Sequence, residues 1–170
     1  MQKNAPLEAE HIRNKLSRPE VVGEIQSTIA HANYLMDAEK FVDWLALTHS
    51  TFTYGIYAFS PEIQGEVVLM EKDRAGLKLL FDQLTMHERY PDKFRRIVGG
   101  SFLSGMFDNG CSAVTAISVY HTNVAGVSAL FCVGTYEDTF VLTEESRFAL
   151  AARKVTLDTR RLPFGSHIPM

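Results

Sequence analysis

The chain has 170 residues, 46% of them hydrophobic, with 17 Lys and Arg against 20 Asp and Glu for a formal net charge of −3. That balance leaves no positive field for gathering nucleic-acid phosphates, and no apolar run approaches the roughly 18 residues of a membrane span. A chain of this length buries roughly 70% of its unfolded surface and needs no disulfide or metal staple, so Cys111 and Cys132, outside any CxxC or CxxH pair, read as core thiols.

The opening stretch MQKNAPLEAEHIRNKLSRPE is polar and lacks the apolar segment of a signal peptide, which points to a cytoplasmic protein. Residues 1–18 read as an arm that orders only on something else, and residues 19–170 as a single α+β domain ending in a tail, 160–170. Pro19 opens a helix in which Ile25, Ile29, Ala32 and Leu35 recur at helical spacing to about residue 36. Asp37 is placed to cap a second, shorter helix, AEKFVDWLALT, with Phe41, Trp44, Leu45 and Leu47 on a broad apolar face. TFTYGIYAF, residues 51–59, is aromatic and β-branched and predicts a strand, and GEVVLM, 65–70, a second. Asp73 is placed to cap a third helix, which carries Leu77, Leu80, Phe81 and Leu84 until Tyr90 and Pro91 stop it.

From 94 to 159 almost everything predicts strand: FRRIVGGSFLSGMF, CSAVTAISVYHTNV, SALFCVGTYEDTFVL and SRFALAARKVTLDT, separated by short turns. Short separators make sequential antiparallel neighbours, hence a meander. Gly99 and Gly100 inside the first of these strands suggest a bulge. Helices first and a long curved antiparallel sheet afterwards is an α+β plan, with the sheet folded over the helical stripes.

A catalytic reading needs polar groups converging inside the cup of such a sheet, and by residue type the candidates are Tyr34, Asp43, His49, Tyr54, His121, Glu137 and Asp138. Strand parity separates them: in CVGTYED, Gly134, Tyr136 and Asp138 share one face and Glu137 points away, so the two carboxylates form no same-strand pair. His121 shares the face of Ile117 and Val119, where a lone histidine is more often a satisfied core or interface residue than a catalyst. The six histidines have no HxH, HxxxH or HxxE spacing, and GxSxG, phosphate-loop and GxGxxG motifs are absent. The charge runs MEKDR and TRR read as solvated faces.

Three stretches carry a resemblance. LMDAEKFVDWLALTHSTFTY resembles the amino-terminal signature of the small (β) subunits of Rieske-type aromatic-ring-hydroxylating dioxygenases, GTYEDTF resembles that family's G-x-Y-x-D strand, and FALAARKVTLDTRRLP its closing R-x-x-x-L-D strand. The similarity covers roughly residues 20 to 165. It departs at HSTFTY, where His49 stands in a segment that often carries an acid, and at RRIVGG, where the family often has R-H-L-V-S-N; the methanesulfonate monooxygenase branch is one to compare. The resemblance implies a cone-shaped fold shared with nuclear transport factor two, ketosteroid isomerase and scytalone dehydratase. It also implies a non-catalytic subunit that holds no metal or cofactor itself. The Rieske [2Fe-2S] cluster and mononuclear iron would sit in a large (α) subunit, three large and three small subunits would assemble, and the small subunits would form a trimer. The alternative is a free-standing isomerase or dehydratase of the same fold, with His49, Tyr54, His121 and Asp138 as its acid–base groups.

The tail LPFGSHIPM exposes Leu162, Phe164, Ile168 and Met170 in a segment broken by Pro163, Gly165 and Pro169. Apolar side chains on a chain that cannot continue a sheet mark an interface; the alternative is that the tail folds back on its own sheet. The expected partner-facing residues are Arg160, Arg161, Leu162, Phe164, His167 and Ile168, the arginines making charge-assisted bonds at the rim.

Overall fold

The computed structural model describes residues 19–86, 92–163 and 169–170. The arm 1–18, the predicted helix stop at Tyr90 and Pro91, and Phe164, His167 and Ile168 lie outside the described residues. Helix α1 runs Pro19–Asp37 and α2 Phe41–Ala46; strands β1, Thr48–Ser60, and β2, Gly65–Asp73, precede α3, Arg74–Met86. Strands β3, Lys93–Phe107, β4, Gly110–Thr122, β5, Ser128–Leu142, and β6, Phe148–Leu157, complete the chain order. The sheet order is β2-β1-β6-β5-β4-β3.

Strands β3 to β6 form the expected antiparallel meander. β1 joins it by lying parallel to β6, and β2 folds back antiparallel on β1. The predicted bulge is present: the β3–β4 register shifts between Val98 and Ser101, across Gly99 and Gly100. The inner face of the sheet closes on the stripe of α1 formed by Val21, Ile25, Ile29, Ala32, Leu35 and Met36, all buried. Below it an aromatic knot locks α2 to α3 and β1. Phe41 stacks on Phe81 at 4.5 Å between ring centroids, and Trp44 meets Phe52 and Phe81 edge-on at 5.6 and 5.9 Å.

The two expected caps part company. Asp73 Oδ1 accepts the Gly76 backbone N–H at 2.7 Å and starts α3 as predicted. Asp37 does not cap α2, whose preceding residue Lys40 makes no side-chain cap. It is buried instead against β3, where it accepts the Arg96 backbone N–H at 3.0 Å and pairs with the Arg96 guanidinium. A buried cation unpaired costs far more than a missing cap on a six-residue helix, so the ion pair takes the carboxylate.

Gly134 shows why the β5–β6 seam is so tight. A Cβ placed there would lie 2.3 Å from the Thr156 carbonyl oxygen and 3.0 Å from Leu157 Cα, both backbone atoms that cannot step aside.

Candidate functional site

Inward parity on β5 brings Tyr136 and Asp138 to the interior, and Glu137 stays exposed, as the alternation requires. Asp138 lies directly opposite Arg153 of β6. Arg153 Nε donates to Oδ1 and Nη2 to Oδ2, both at 2.7 Å, with the side chains 2% and 0% exposed. The guanidinium also lies over the Tyr136 ring, 4.0 Å from its centroid. Burial works to lower the Arg153 pKa, but the Asp138 carboxylate outweighs it and the net displacement is upward, so the guanidinium stays charged. The Tyr136 hydroxyl donates to Asn33 Oδ1 of α1 at 3.1 Å, and the Asn33 amide donates to the Ile29 carbonyl at 2.9 Å.

This chain of contacts ties sheet to helix through satisfied polar groups. It also removes Asp138 as an accessible base, because both its oxygens are held by Arg153.

Tyr54, on β1, is 2% exposed, and its hydroxyl donates to the main-chain oxygen of Met170 at 2.9 Å. Burial pushes its phenol far above the ordinary value, with Tyr136 adding to this and Arg153 and Arg96 opposing it. Arg96 Nη2 donates to the Pro169 carbonyl, and the Cys132 thiol lies 3.7 Å from the Met170 sulfur. Met170 is therefore not exposed as the sequence suggests. It is 4% exposed and belongs to the core, and Leu162 packs half-buried against the same cluster.

His49 and His121 lie elsewhere. Half-buried His49 bonds through Nδ1 to the Thr51 hydroxyl at 2.8 Å, and it lines an open outer groove with Glu24, Glu144, Glu145 and Arg147. His121 Nε2 meets Asp92 Oδ2 at 2.9 Å and its ring packs against Phe94 at 5.3 Å. The four acid–base candidates thus engage four different partners and do not converge on one reacting centre. Among the other candidates, Tyr34 is exposed, as are Asp43 and Glu137.

Arg160 and Arg161 are exposed beside the β1–β2 hairpin, where Arg160 reaches Glu62 at 3.4 Å. Together with Phe59, Val67 and Leu69 they line an open groove of about 450 Å³. Exposed apolar side chains gather at both ends of the sheet: Val67, Val68 and Leu69 of the edge strand β2 with Phe59 of neighbouring β1 at one, Ile97, Phe102, Met106 and Phe107 of the edge strand β3 at the other. Among the described residues, no three of His, Cys, Asp and Glu gather as a metal-holding set, and no helix is long and apolar enough to cross a membrane.

The interior residues that sequence reasoning missed are Arg96, Arg153 and Asn33. A signal for Arg153 existed in the Val155–Leu157 alternation, which puts an arginine on the inward face of β6.

No protein-family model matches the chain. The chain is 36% identical over 136 residues to the 2-aminobenzenesulfonate 2,3-dioxygenase subunit β of an Alcaligenes species, covering 80% of this chain and 90% of that protein. It is 33% identical over 156 residues to the methanesulfonate monooxygenase hydroxylase subunit β of Methylosulfonomonas methylovora, covering 86% and 85% of the two chains. Among solved structures, the β subunit assigned to an aromatic-ring-hydroxylating dioxygenase of Novosphingobium aromaticivorans superposes with a TM-score of 0.78 at 20% identity. That match covers 88% of this chain and 97% of the other, and shows a shared fold.

Proposed function

The chain belongs to the small (β) subunits of Rieske-type ring-hydroxylating oxygenases, and from that premise we propose that it works as the assembly subunit of an oxygenase acting on an organosulfonate. The observation that carries the subunit role is the 36% identity to a dioxygenase β subunit along 90% of that protein's length. An interior in which Tyr54, Asp138 and Arg153 are already engaged by this chain's own groups supports it. The free-standing isomerase or dehydratase reading lacks a convergent acid–base pair.

In this reading a catalytic large subunit is the partner, and it holds the Rieske cluster and the mononuclear iron that supply electrons and activate dioxygen. This chain's residues give structure to the complex. The exposed apolar edges around Phe59, Val67 and Leu69 and around Ile97, Phe102 and Phe107 are the surfaces that meet neighbouring subunits. Three large and three small subunits assemble, the small ones as a trimer. Arg160 and Arg161 stand at the rim of the β1–β2 groove, where their guanidinium groups suit carboxylates or carbonyls of a neighbour. Leu162, Phe164, His167 and Ile168 complete the proposed contact.

The sulfonate assignment is supported by the two relatives, both named for a sulfonate substrate. Oxygen uptake by the complex reconstituted with its reductase tests it. Consumption stimulated by an arenesulfonate or alkanesulfonate and not by the unsulfonated hydrocarbon is the expected result, and the reverse preference rejects the assignment.

A further inference from the structure

The turn between β4 and β5 is apolar, exposed and rigid at once. From Thr122 to Tyr136 the chain carries no charged side chain, and Val124 and Val127 are 66% and 61% exposed. Behind them Tyr120 and Leu130 lie directly opposite one another, also exposed. The turn holds its shape by itself. Asn123 Oδ1 accepts the Ala125 and Val127 backbone N–H groups, each at 3.0 Å, and the Gly126 N–H donates to the Asn123 carbonyl at 2.9 Å. Gly126 takes a φ of +79°, which favours glycine. A tip fixed in this way loses little freedom when a partner closes on it. The carbonyls of Val124 and Ala125 accept no hydrogen bond among the described residues. The tip also projects. Ala58, Leu157, Gly134 and Ile117 form one row across the sheet, and from that row β1 ends at Ser60 whereas β4 runs on to Thr122. At ~3.4 Å per residue the β4–β5 hairpin reaches about 10 Å further. Because β1, β6 and β4 all run in one direction, this turn, the β1–β2 turn and Arg160 and Arg161 stand at the same end of the sheet. The groove beside Phe59, Val67 and Leu69 is at that end too. It lies about three strand spacings, or ~14 Å, from β4.

We propose that the occupant of this groove is the β4–β5 tip of a second copy of the chain: Val124 and Val127 of one copy seat against Phe59, Val67 and Leu69 of the next, and Arg161 donates to the free carbonyls of the turn. Charge and shape agree. The tip is convex and uncharged, so it brings no ion to be desolvated. The groove, of about 450 Å³, is apolar along three side chains and cationic at its rim. Arg160 is tied to Glu62, but Arg161 makes no ion pair among the described residues and has its donors to give. Area decides how the copies are arranged. The few side chains of one tip cover a few hundred Å², below the roughly 800 Å² per partner of a stable pair, so one tip in one groove holds no dimer. Tip and groove are different patches, which makes the contact head-to-tail. In a ring each chain makes it twice, once with each patch. The proposal rests on the subunit reading only for the assembly that gathers the copies. The contact itself joins copies of this chain and is read separately from large-subunit binding.

The test co-expresses chains carrying Val127→Cys with chains carrying Val67→Cys, treats the product with a short bis-maleimide and identifies linked pairs by mass. Cys111 and Cys132 are buried and stay out of the reaction. Val67, Val124 and Val127 are exposed, so the variants should keep the native melting temperature. The measurement is made on the small chain alone and on its complex with the large subunit. The expected product joins one chain of each kind, and either variant expressed by itself gives several-fold less. Val124→Lys added to the tip chain should cut the yield several-fold by facing Arg160 and Arg161, and Arg161→Glu in the groove chain should restore it. Equal yields from mixed and unmixed chains, no linked pair in either setting, or a yield that neither charge substitution moves overturns the proposal. Linkage of the Val127→Cys chain to the large subunit assigns the tip to that partner and overturns it as well. Failure of the large subunit to co-purify counts against the subunit reading and leaves the result on the small chain alone to stand.

Discussion

Replacing Asp138 by Ala should cost this protein much of its stability, and the structure sets the size of the loss. The carboxylate accepts two bonds of 2.7 Å from a guanidinium 2% exposed, and no water-facing surface remains to rehydrate Arg153 once its partner is gone. Removing one member of a buried ion pair costs about 3–5 kcal/mol, against a total of about 5–15 kcal/mol for a typical domain. For a chain of this length each kcal/mol moves the melting temperature by about 2–4 °C, so Asp138→Ala should melt about 6–20 °C lower. Asp138→Asn keeps an acceptor and should lose less. The double variant Asp138→Leu/Arg153→Met removes both charges and should recover most of the loss, because an apolar replacement of a buried pair is often neutral or better. Urea denaturation followed by circular dichroism, with thermal melts beside it, reads all four proteins. A single variant within about 1 kcal/mol of the native chain, or a double variant no better than the single, would refute the assignment of these two residues to one closed pair.

Gly134→Ala should be destabilising by more than the usual effect of a strand alanine, because its Cβ would meet backbone at 2.3 Å; a urea midpoint equal to that of the native chain would contradict this. Trp44→Ala removes a fully buried ring that touches Phe52 and Phe81, and should cost about 3–5 kcal/mol with an unchanged urea dependence. The Cys111 and Cys132 thiols are pushed from 9.0 up to about 11 by burial, with Glu24 adding to the first and Arg96 opposing the second. The folded state then keeps protons that the unfolded chain releases, so their contribution is intact below pH 9 and is lost as pH rises from 9 towards about 11. The slope is at most about 1.4 kcal/mol per pH unit per thiol. Urea titrations across that window and thiol labelling before and after unfolding measure it, and a flat profile with freely labelled native thiols would count against burial as the cause.

The meander was legible because its signals are local. Alternation marks β4 through Cys111, Ala113, Thr115, Ile117 and Val119, all buried, and short turns force antiparallel neighbours. The parallel pairing of β1 with β6 was not legible, since about a hundred residues separate partners such as Tyr54 and Arg153 and no local pattern encodes the match. The Asp138–Arg153 pair was hidden by one residue. Counting back from Leu142 opposite Phe148 puts Asp138 against Ala152; an extra residue at Ala151 shifts the register and brings Arg153 opposite instead. The same shift turns Leu150 and Arg153 to one side despite their odd spacing. Asp37 looked like a cap because capping is a local signal, whereas its partner Arg96 lies on a distant strand. The tail misled for a related reason: prolines and glycine describe how the chain bends, and say nothing about the Tyr54 and Arg96 donors that receive Met170 and Pro169.

The place of this chain in an oxygenase is tested most directly by co-expressing it with an oxygenase large subunit from the same genome, purifying through a tag on this chain alone, and assaying the product for iron. The account predicts a stable complex of both chains that carries iron, with none in the small chain purified by itself. A colourless assembly of this chain alone, formed with the large chain present in the same cells, would contradict it.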